Sequence, residues 1–434
     1  MSCLSIRNFS CIDEASLTLS HLTVLIGPQA SGKSVISKLM YFFYDSLLDM
    51  VGFDLRFEEE TFEEFERQFL ESFKKSFPSS AWGLKAFEIY FEAGPVTIKL
   101  NRPRPKKGSV GIIKAEFSDM FRETFHFIQT EQKIAKERSA GLKADPSISL
   151  EWDLFWRIRQ AARNKLRKSL GPDFVNRQLF VPAGRSFFTS MGKAVVAFEQ
   201  GGFLDPLTIS FGKYFLAMRD RLSVRDMMYR SPESQKQRAD LQSLRAKLSL
   251  ELFSGTIKIE KNEEYVESFD GRKTPFSIMS SGQQELLPLW LTINEFMDID
   301  PPDSLIYIEE PEAHLFPSAQ GILTEYLAIL LGTSMTQKML ITTHSPYILS
   351  KINNLLKAGA LAGKNSKKEH SAIERIVPKQ AWLKPGSISA YAIIERRLVS
   401  IMGEDGLIDG EYLDEVSGEI ARDFSRMLEI EYVR

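Results

Sequence analysis

The sequence predicts an α/β fold, with one head built on a mixed sheet and a mainly helical insertion set into it. Three stretches carry that prediction. In each, an apolar run of strand length ends in residues suited to chemistry. Leu22–Ile26 runs into Gly27-Pro28-Gln29-Ala30-Ser31-Gly32-Lys33-Ser34. Residues 305–308 run into Glu309-Glu310, and residues 339–343 run into His344. The first string fits G-x-x-x-x-G-K-[ST] at every fixed position. Such a loop curls so that its backbone N–H groups face phosphate oxygens.

In chain order, residues 3 to 9 and 15 to 19 read as two short strands joined by a turn near Asp13-Glu14. Leu4, Ile6 and Phe9 lie on or near one face. A strand pair placed here would roof the base and ribose of a nucleotide, with Phe9 against adenine or simply in the core. After the phosphate loop, Val35, Ile36, Leu39, Met40 and Phe43 recur with helical spacing. This gives strand, loop and helix, the context the motif requires. Gly27 and Gly32 permit the curl, and the helix N-terminus adds partial positive charge. Lys33 would reach the β- and γ-phosphates of ATP, and the Ser34 hydroxyl would hold Mg2+. The binding segment is residues 27–35, from Gly27 to Val35.

Composition changes near residue 45. Phe62, Phe65, Phe69, Phe73 and Phe77 form a helical stripe opposite Glu58, Glu59, Glu60, Glu63, Glu64 and Glu66. This is an amphipathic helix with a solvated acidic face, or else a partner-binding one. Residues 85–100 alternate as two strands around Gly94-Pro95. Arg102, Arg104, Lys106 and Lys107, broken by Pro103 and Pro105, read as a loop, either a basic contact or a solvated hairpin tip. Residues 113–170 look mostly helical. There Arg157, Arg159, Arg163, Lys165, Arg167 and Lys168 follow one another with no acid between them, above a stripe that includes Trp152, Phe155, Trp156, Ala162, Leu166 and Leu170. This basic face is either merely solvated or the candidate contact for DNA or another acidic partner.

Residues 178–182 read as a buried strand that ends before Ala183-Gly184-Arg185, which suits Arg185 to an edge of a nucleotide site, where it would meet a γ-phosphate or a subunit interface, or equally anchor a loop by a salt bridge. Residues 203–252 are helix-rich, a short helical stub interrupted at Ser231-Pro232-Glu233. Residues 255–268 read as a strand hairpin. The layout divides into a head at 1–45 and 175–355, an insertion at 46–174 for partner recognition, and a C-terminal α/β extension at 356–434.

Three later segments complete the candidate site. Ser280-Ser281-Gly282-Gln283-Gln284 precedes an apolar helix, so a hydroxyl, a glycine N–H and a helix N-terminus form an anion site. Glu309 would orient Mg2+ and its waters, and Glu310 would act as general base on the attacking water. His344 would contact the γ-phosphate or orient that water.

The chain has 434 residues, enough for roughly two or three domains. Hydrophobic residues are 43% and charged residues 26%, ordinary for a soluble globular protein. A net charge of −2 supplies no global pull toward nucleic acid or membrane. The cysteines, Cys3 and Cys11, are too few for a zinc site and suit a reducing compartment. The five histidines are scattered, which argues against a His-based metal site. No secretory signal or membrane span is legible, so a bacterial cytoplasmic location without membrane contact is expected.

Together these motifs resemble the ABC-type ATPases of the AAA-15/AAA-21 kind, close to the ATPase half of the OLD family. Ile6-Arg7-Asn8-Phe9, Pro182-Ala183-x-Arg185, Ser281-Gly282-Gln283-Gln284, residues 309–315 and Thr343-His344-Ser345-Pro346 carry the likeness. It implies that Ser281, Gly282 and Gln283 complete the ATP site of a facing copy, so that ATP joins two heads in a homo-oligomer. Most members have Asp where Glu309 stands. Gln129 is the best offer for the Gln that senses γ-phosphate. OLD nucleases continue into a Toprim domain with an Asp-x-Asp pair, which residues 345–434 lack, so no nuclease is expected here. The layout then resembles the sensor ATPase of a two-gene anti-phage defence system of the PARIS type. That likeness implies a separate Toprim nuclease effector, released when a phage-encoded trigger protein binds. The alternative is a DNA-repair or chromosome-maintenance ATPase acting on DNA. A transporter subunit is disfavoured by the long insertion, and a non-hydrolysing regulator by Glu310.

Overall fold

In the computed structural model, the described residues are 1–49, 61–105, 111–140, 149–191, 204–222, 235–260, 263–299, 303–364 and 367–409. The chain opens with strands β1 (Cys3–Phe9), β2 (Ile12–Thr18) and β3 (Leu22–Ile26), then helix α1 (Lys33–Asp49) and helix α2 (Phe62–Ser76). Strands β4 (Phe87–Ala93), β5 (Val96–Arg102) and β6 (Lys114–Phe117) follow, then helices α3 (Asp119–Ala140) and α4 (Ser149–Leu170). Next come β7 (Arg177–Val181), α5 (Ser186–Met191), α6 (Pro206–Leu222) and α7 (Gln235–Phe253). A small sheet of β8 (Thr256–Ile259), β9 (Glu264–Glu267) and β10 (Lys273–Pro275) leads to α8 (Ser281–Ile299). The chain continues through β11 (Ser304–Glu309), α9 (Pro317–Leu331), β12 (Lys338–Thr343), α10 (Pro346–Lys364) and α11 (Lys367–Glu374), and the described part ends in the hairpin β13 (Ile388–Ile394) and β14 (Arg397–Ser400).

The large sheet has the order β6-β5-β4-β1-β2-β14-β13-β3-β12-β11-β7. Its β13-β3-β12-β11-β7 half is parallel, and its β6-β5-β4-β1-β2 half is antiparallel. The two halves differ in sequence pattern for a physical reason. A parallel strand is covered on both faces and can be apolar throughout, as β3 and β11 are buried at every residue. β4 and β5 alternate buried and half-buried residues, the mark of a sheet covered on one face. Along β11, Ile306 and Ile308 join one core while Leu305 and Tyr307 join the other, so the sheet separates two apolar layers.

Several expectations shift here. The first hairpin turns at Ser10-Cys11, with Phe9 paired to Ile12. Asp13 and Glu14 are strand residues, Asp13 half-buried and Glu14 exposed. The hairpin around Gly94 extends the head sheet, because β4 pairs with β1. The strands β4, β5 and β6 of the expected insertion therefore belong to the head sheet. β6 is a strand where helix was expected, since four residues carry too short a pattern to read. Arg102 is buried at the end of β5 and donates to the Gly83 and Lys85 carbonyls at 2.7 and 2.6 Å. Lys106 and Lys107 lie outside the described residues, as do Glu58, Glu59 and Glu60.

Helix α2 begins at a capping box, in which Thr61 and Glu64 each bond the other's backbone. Its Phe62, Phe69 and Phe73 are buried, and Glu63 faces solvent. The helices of the expected stub lie against the head, α6 on α8 and β7, α7 on α9 and β8. The break at 231–233 lies outside the described residues.

Candidate active site

Four parallel strands end together at one edge of the sheet. Thr343 pairs with Ile26, Glu309 with Thr342, and Ile308 with Val181. Ligands of parallel α/β sheets sit beyond such carboxyl ends. Here that edge gathers Lys33, Ser34, Glu309, Glu310 and His344, which lie up to 311 residues apart in sequence.

The phosphate loop is tight. A Cβ on Gly32 would stand 2.9 Å from both Cys11 Sγ and Ile12 Cγ1, at a φ of +111° that glycine alone adopts easily. Lys33 is 5% exposed, and its Nζ donates to the Gly27 and Pro28 carbonyls at 2.8 and 2.9 Å. It also lies 3.1 Å from His344 Nε2. Burial lowers the Lys33 pKa, and the carboxylates of Glu310, Glu312 and Glu309 oppose that shift.

Glu309 is 5% exposed, and its Oε1 has no hydrogen-bond partner. Burial raises its pKa, while Lys38, the Ser34 hydroxyl and the Ala183 N–H hold it down. A hydroxyl beside a buried carboxylate with an orphaned oxygen is a fitting partial shell for Mg2+. That ion keeps several waters and takes few protein ligands beside substrate phosphates. Ser31 Oγ, Glu312 Oε2 and Thr342 Oγ1 are orphaned too. Buried polar atoms without partners are rare and mark a place where a ligand completes the bonding.

Glu310 occupies a positive φ of 45° and aims Oε1 at His344 Nε2, 3.0 Å away. One nitrogen thus faces both Lys33 and Glu310. Protonated, Nε2 donates to Glu310; unprotonated, it accepts from Lys33. Glu312 clamps the histidine from behind, since its Oε1 accepts from the His344 N–H at 2.6 Å and from the Thr343 hydroxyl at 2.8 Å. These residues can hold a phosphate chain, place a cation and accept a proton beside it.

The Ser-Gly loop is ordered by capping. Ser280 caps α8, and Gln283 Oε1 accepts from the Ser280 N–H and hydroxyl at 3.2 and 3.0 Å. The Gln283 amide donates to the Phe253 carbonyl at 2.8 Å. Gln283 therefore shapes the loop and does not offer its side chain to a ligand. Ser281 is exposed. A Cβ on Gly282 would fall 2.6 Å from the His314 carbonyl, so only glycine lets the loop rest on the turn after Glu312.

For three further candidate residues the structure gives a definite placement. Arg185 is fully buried, and it donates to the Pro182, Glu309 and Glu310 carbonyls at 2.9, 2.7 and 3.0 Å. Its Nε bonds the Glu285 carbonyl at 3.0 Å. It therefore braces the carboxylate strand from behind and reaches neither a γ-phosphate nor a subunit surface. Phe9 is core, packed on Phe73, Phe77 and Phe87, and touches no nucleotide pocket. Gln129 lies within α3, its amide oxygen 3.0 Å from His126 Nδ1.

The basic stretch of α4 is no continuous exposed face. Arg159 is buried, Arg167 pairs with Asp303 at 2.6 Å, and Lys165 lies over the Phe127 ring. The side chains of Trp152, Phe155 and Trp156 lie outside the described residues.

Sequence reading passed over Glu285 and Lys38. Glu285 is an acid in an apolar helix opposite a buried arginine. Lys38 stands four residues after Ser34, on the same helical face.

A buried lysine in a phosphate loop, beside paired carboxylates and a histidine at parallel strand ends, defines the class as a P-loop nucleotide-binding protein. The chain belongs to the AAA ATPase domain family (AAA_15), whose model matches residues 1–143 and 229–349. Among solved structures it is similar to an Smc head bound to the C-winged helix domain of ScpA, at 12% identity over 93% of this chain and 98% of that one, with a TM-score of 0.43. It is also similar to the SMC head domain from Thermotoga maritima, at 13% identity, covering 92% and 97%, TM-score 0.36. A third is an Smc head with an extended coiled coil, bound to the C-terminal domain of ScpA derived from Pyrococcus furiosus, at 12% identity, 97% and 100%, TM-score 0.38. No curated protein matches the sequence significantly. Among the described residues no helix is long and apolar enough to cross a membrane.

Proposed function

We propose that this chain is an ABC-type head that binds and slowly hydrolyses ATP, and whose copies pair around the nucleotide. The observation that carries this is the Lys33–His344–Glu310 line, at 3.1 and 3.0 Å, beside the Ser34 and Glu309 pair. Residues 27–35 hold the phosphate chain, with Lys33 turning from the Gly27 and Pro28 carbonyls onto phosphate oxygens. Ser34 and Glu309 hold Mg2+, which supplies charge neutralisation on the phosphates when bound. Glu310 accepts the proton of the attacking water, and His344 positions Glu310 and faces the γ-phosphate. Ser281 and Gly282 offer a hydroxyl and backbone N–H groups to the phosphates of a facing copy.

Glu310→Gln keeps the shape and removes the base. The expected result is ATP binding with turnover lowered about 100-fold or more, and ATP-bound dimers that persist on a sizing column. Normal phosphate release by this variant would refute the assignment.

The cellular role that fits the sequence resemblance is the sensor of an anti-phage system, with a separate Toprim nuclease as effector and a phage-encoded protein as trigger. A nuclease encoded beside this chain that copurifies with it, and leaves on trigger binding, is the supporting result. The DNA-acting alternative loses support from the interrupted basic face of α4.

A further inference from the structure

With Phe9 in the core, the nucleoside end of the ligand needs another seat. Beside the phosphate loop lies a cavity of about 420 Å³, bounded by residues 28–31 and by Cys11, Ile393, Glu395 and Arg396. That is the size of a small-molecule site. Three of these residues belong to the β13–β14 hairpin, past residue 349 where the family match stops.

The hairpin is built against local preference. Ile394 pairs with Arg397, so Glu395 and Arg396 are the two central residues of its turn. Both have positive φ, 45° and 66°. This is the turn that Asn-Gly forms readily and that Glu and Arg form reluctantly. Such outliers cluster at functional positions, where surrounding bonds hold them. The bonds are present. The Asp13 N–H donates to the Arg396 carbonyl at 2.9 Å, and Arg396 Nε donates to the Cys11 carbonyl at 3.1 Å. Its guanidinium lies 3.5 Å from Asp13 Oδ1, yet the side chain stays 56% exposed. The hairpin also presses on the phosphate loop itself, since a Cβ on Gly27 would stand 3.3 Å from Ile393 Cβ.

We propose that the β13–β14 turn seats the nucleoside half of the bound nucleotide. The base lies on the face of the pinned Arg396 guanidinium, and Glu395 accepts hydrogen bonds from the ribose hydroxyls. This rests on the ATP reading above and adds where the base goes and which element holds it.

The test compares equilibrium binding of MgATP and of magnesium tripolyphosphate to the full chain. Tripolyphosphate probes the phosphate loop without a nucleoside. The wild type should bind ATP more tightly than tripolyphosphate. Arg396→Ala should weaken ATP binding about tenfold and leave tripolyphosphate binding unchanged. The double variant Glu395→Asn, Arg396→Gly restores the preferred turn. It should melt higher than wild type and still lose ATP affinity, which separates the ligand role from folding. Unchanged ATP affinity in both variants, or equal losses for both ligands, would overturn the proposal. A wild type that binds neither ligand would instead overturn the ATP reading on which it rests.

Discussion

At the scale of single residues, the site is a set of groups held away from their preferred state. Glu310 sits at positive φ, and Glu309 is a carboxylate buried with one oxygen unpaired. Burial raises the Glu309 pKa above its ordinary value of 4.5. In the interval above 4.5 the folded chain therefore keeps a proton that the unfolded chain has lost, and stability from this group falls as pH rises through it. Glu309→Gln removes that slope. The ligand-free variant should melt higher than wild type at neutral pH while losing Mg2+-dependent turnover. Melting curves across pH check it, and a slope equal to that of wild type would count against the assignment. Both carboxylates were legible because they end an apolar run. The orphaned oxygen was not, since burial belongs to the packing around it.

At the scale of elements, Arg185 and Glu285 join the tip of β7 to the first turn of α8. The Arg185 N–H donates to Glu285 Oε2 at 2.7 Å, and the guanidinium holds the carbonyls of Glu309 and Glu310. The Ser-Gly loop and the carboxylate strand are thereby parts of one bracket. Arg185→Ala leaves Glu285 buried without its partner, and such breaks destabilise by about 3–5 kcal/mol. The apolar double variant Arg185→Met, Glu285→Leu should recover most of that stability in denaturant melts, yet remain slow in ATP turnover. Recovery of both would reduce the pair to packing. Sequence reading placed Arg185 at the right end of the right strand. The direction its side chain takes depends on an acid 100 residues away, which no local pattern encodes.

At the scale of the whole molecule, Ser281 is exposed, as the proposed pairing of two heads requires. Ser281→Arg places a bulky cation there without touching Lys33. ATP binding to the single head should persist, while ATP-dependent dimers and turnover are lost by about 100-fold. Light scattering with and without ATP reads this directly. Dimers that form normally in this variant would contradict the proposed clasp.

The sequence alone offered the candidate site residues and the buried strands that deliver them. Glycine, lysine and carboxylate positions follow local rules of backbone freedom and strand burial, and such rules act over a few residues. Helix α2 was legible for the same reason, its phenylalanines repeating at three and four. Tertiary structure decided which groups meet. It set Arg185 behind the carboxylates, chose the core for Phe9, and paired the strands of the expected insertion with the head sheet. It also carried residues 393–396 to the phosphate loop. Those outcomes turn on strand pairing and on contacts between distant segments. Their stabilisation comes from buried area and shared hydrogen bonds, which exist only once the chain has closed on itself.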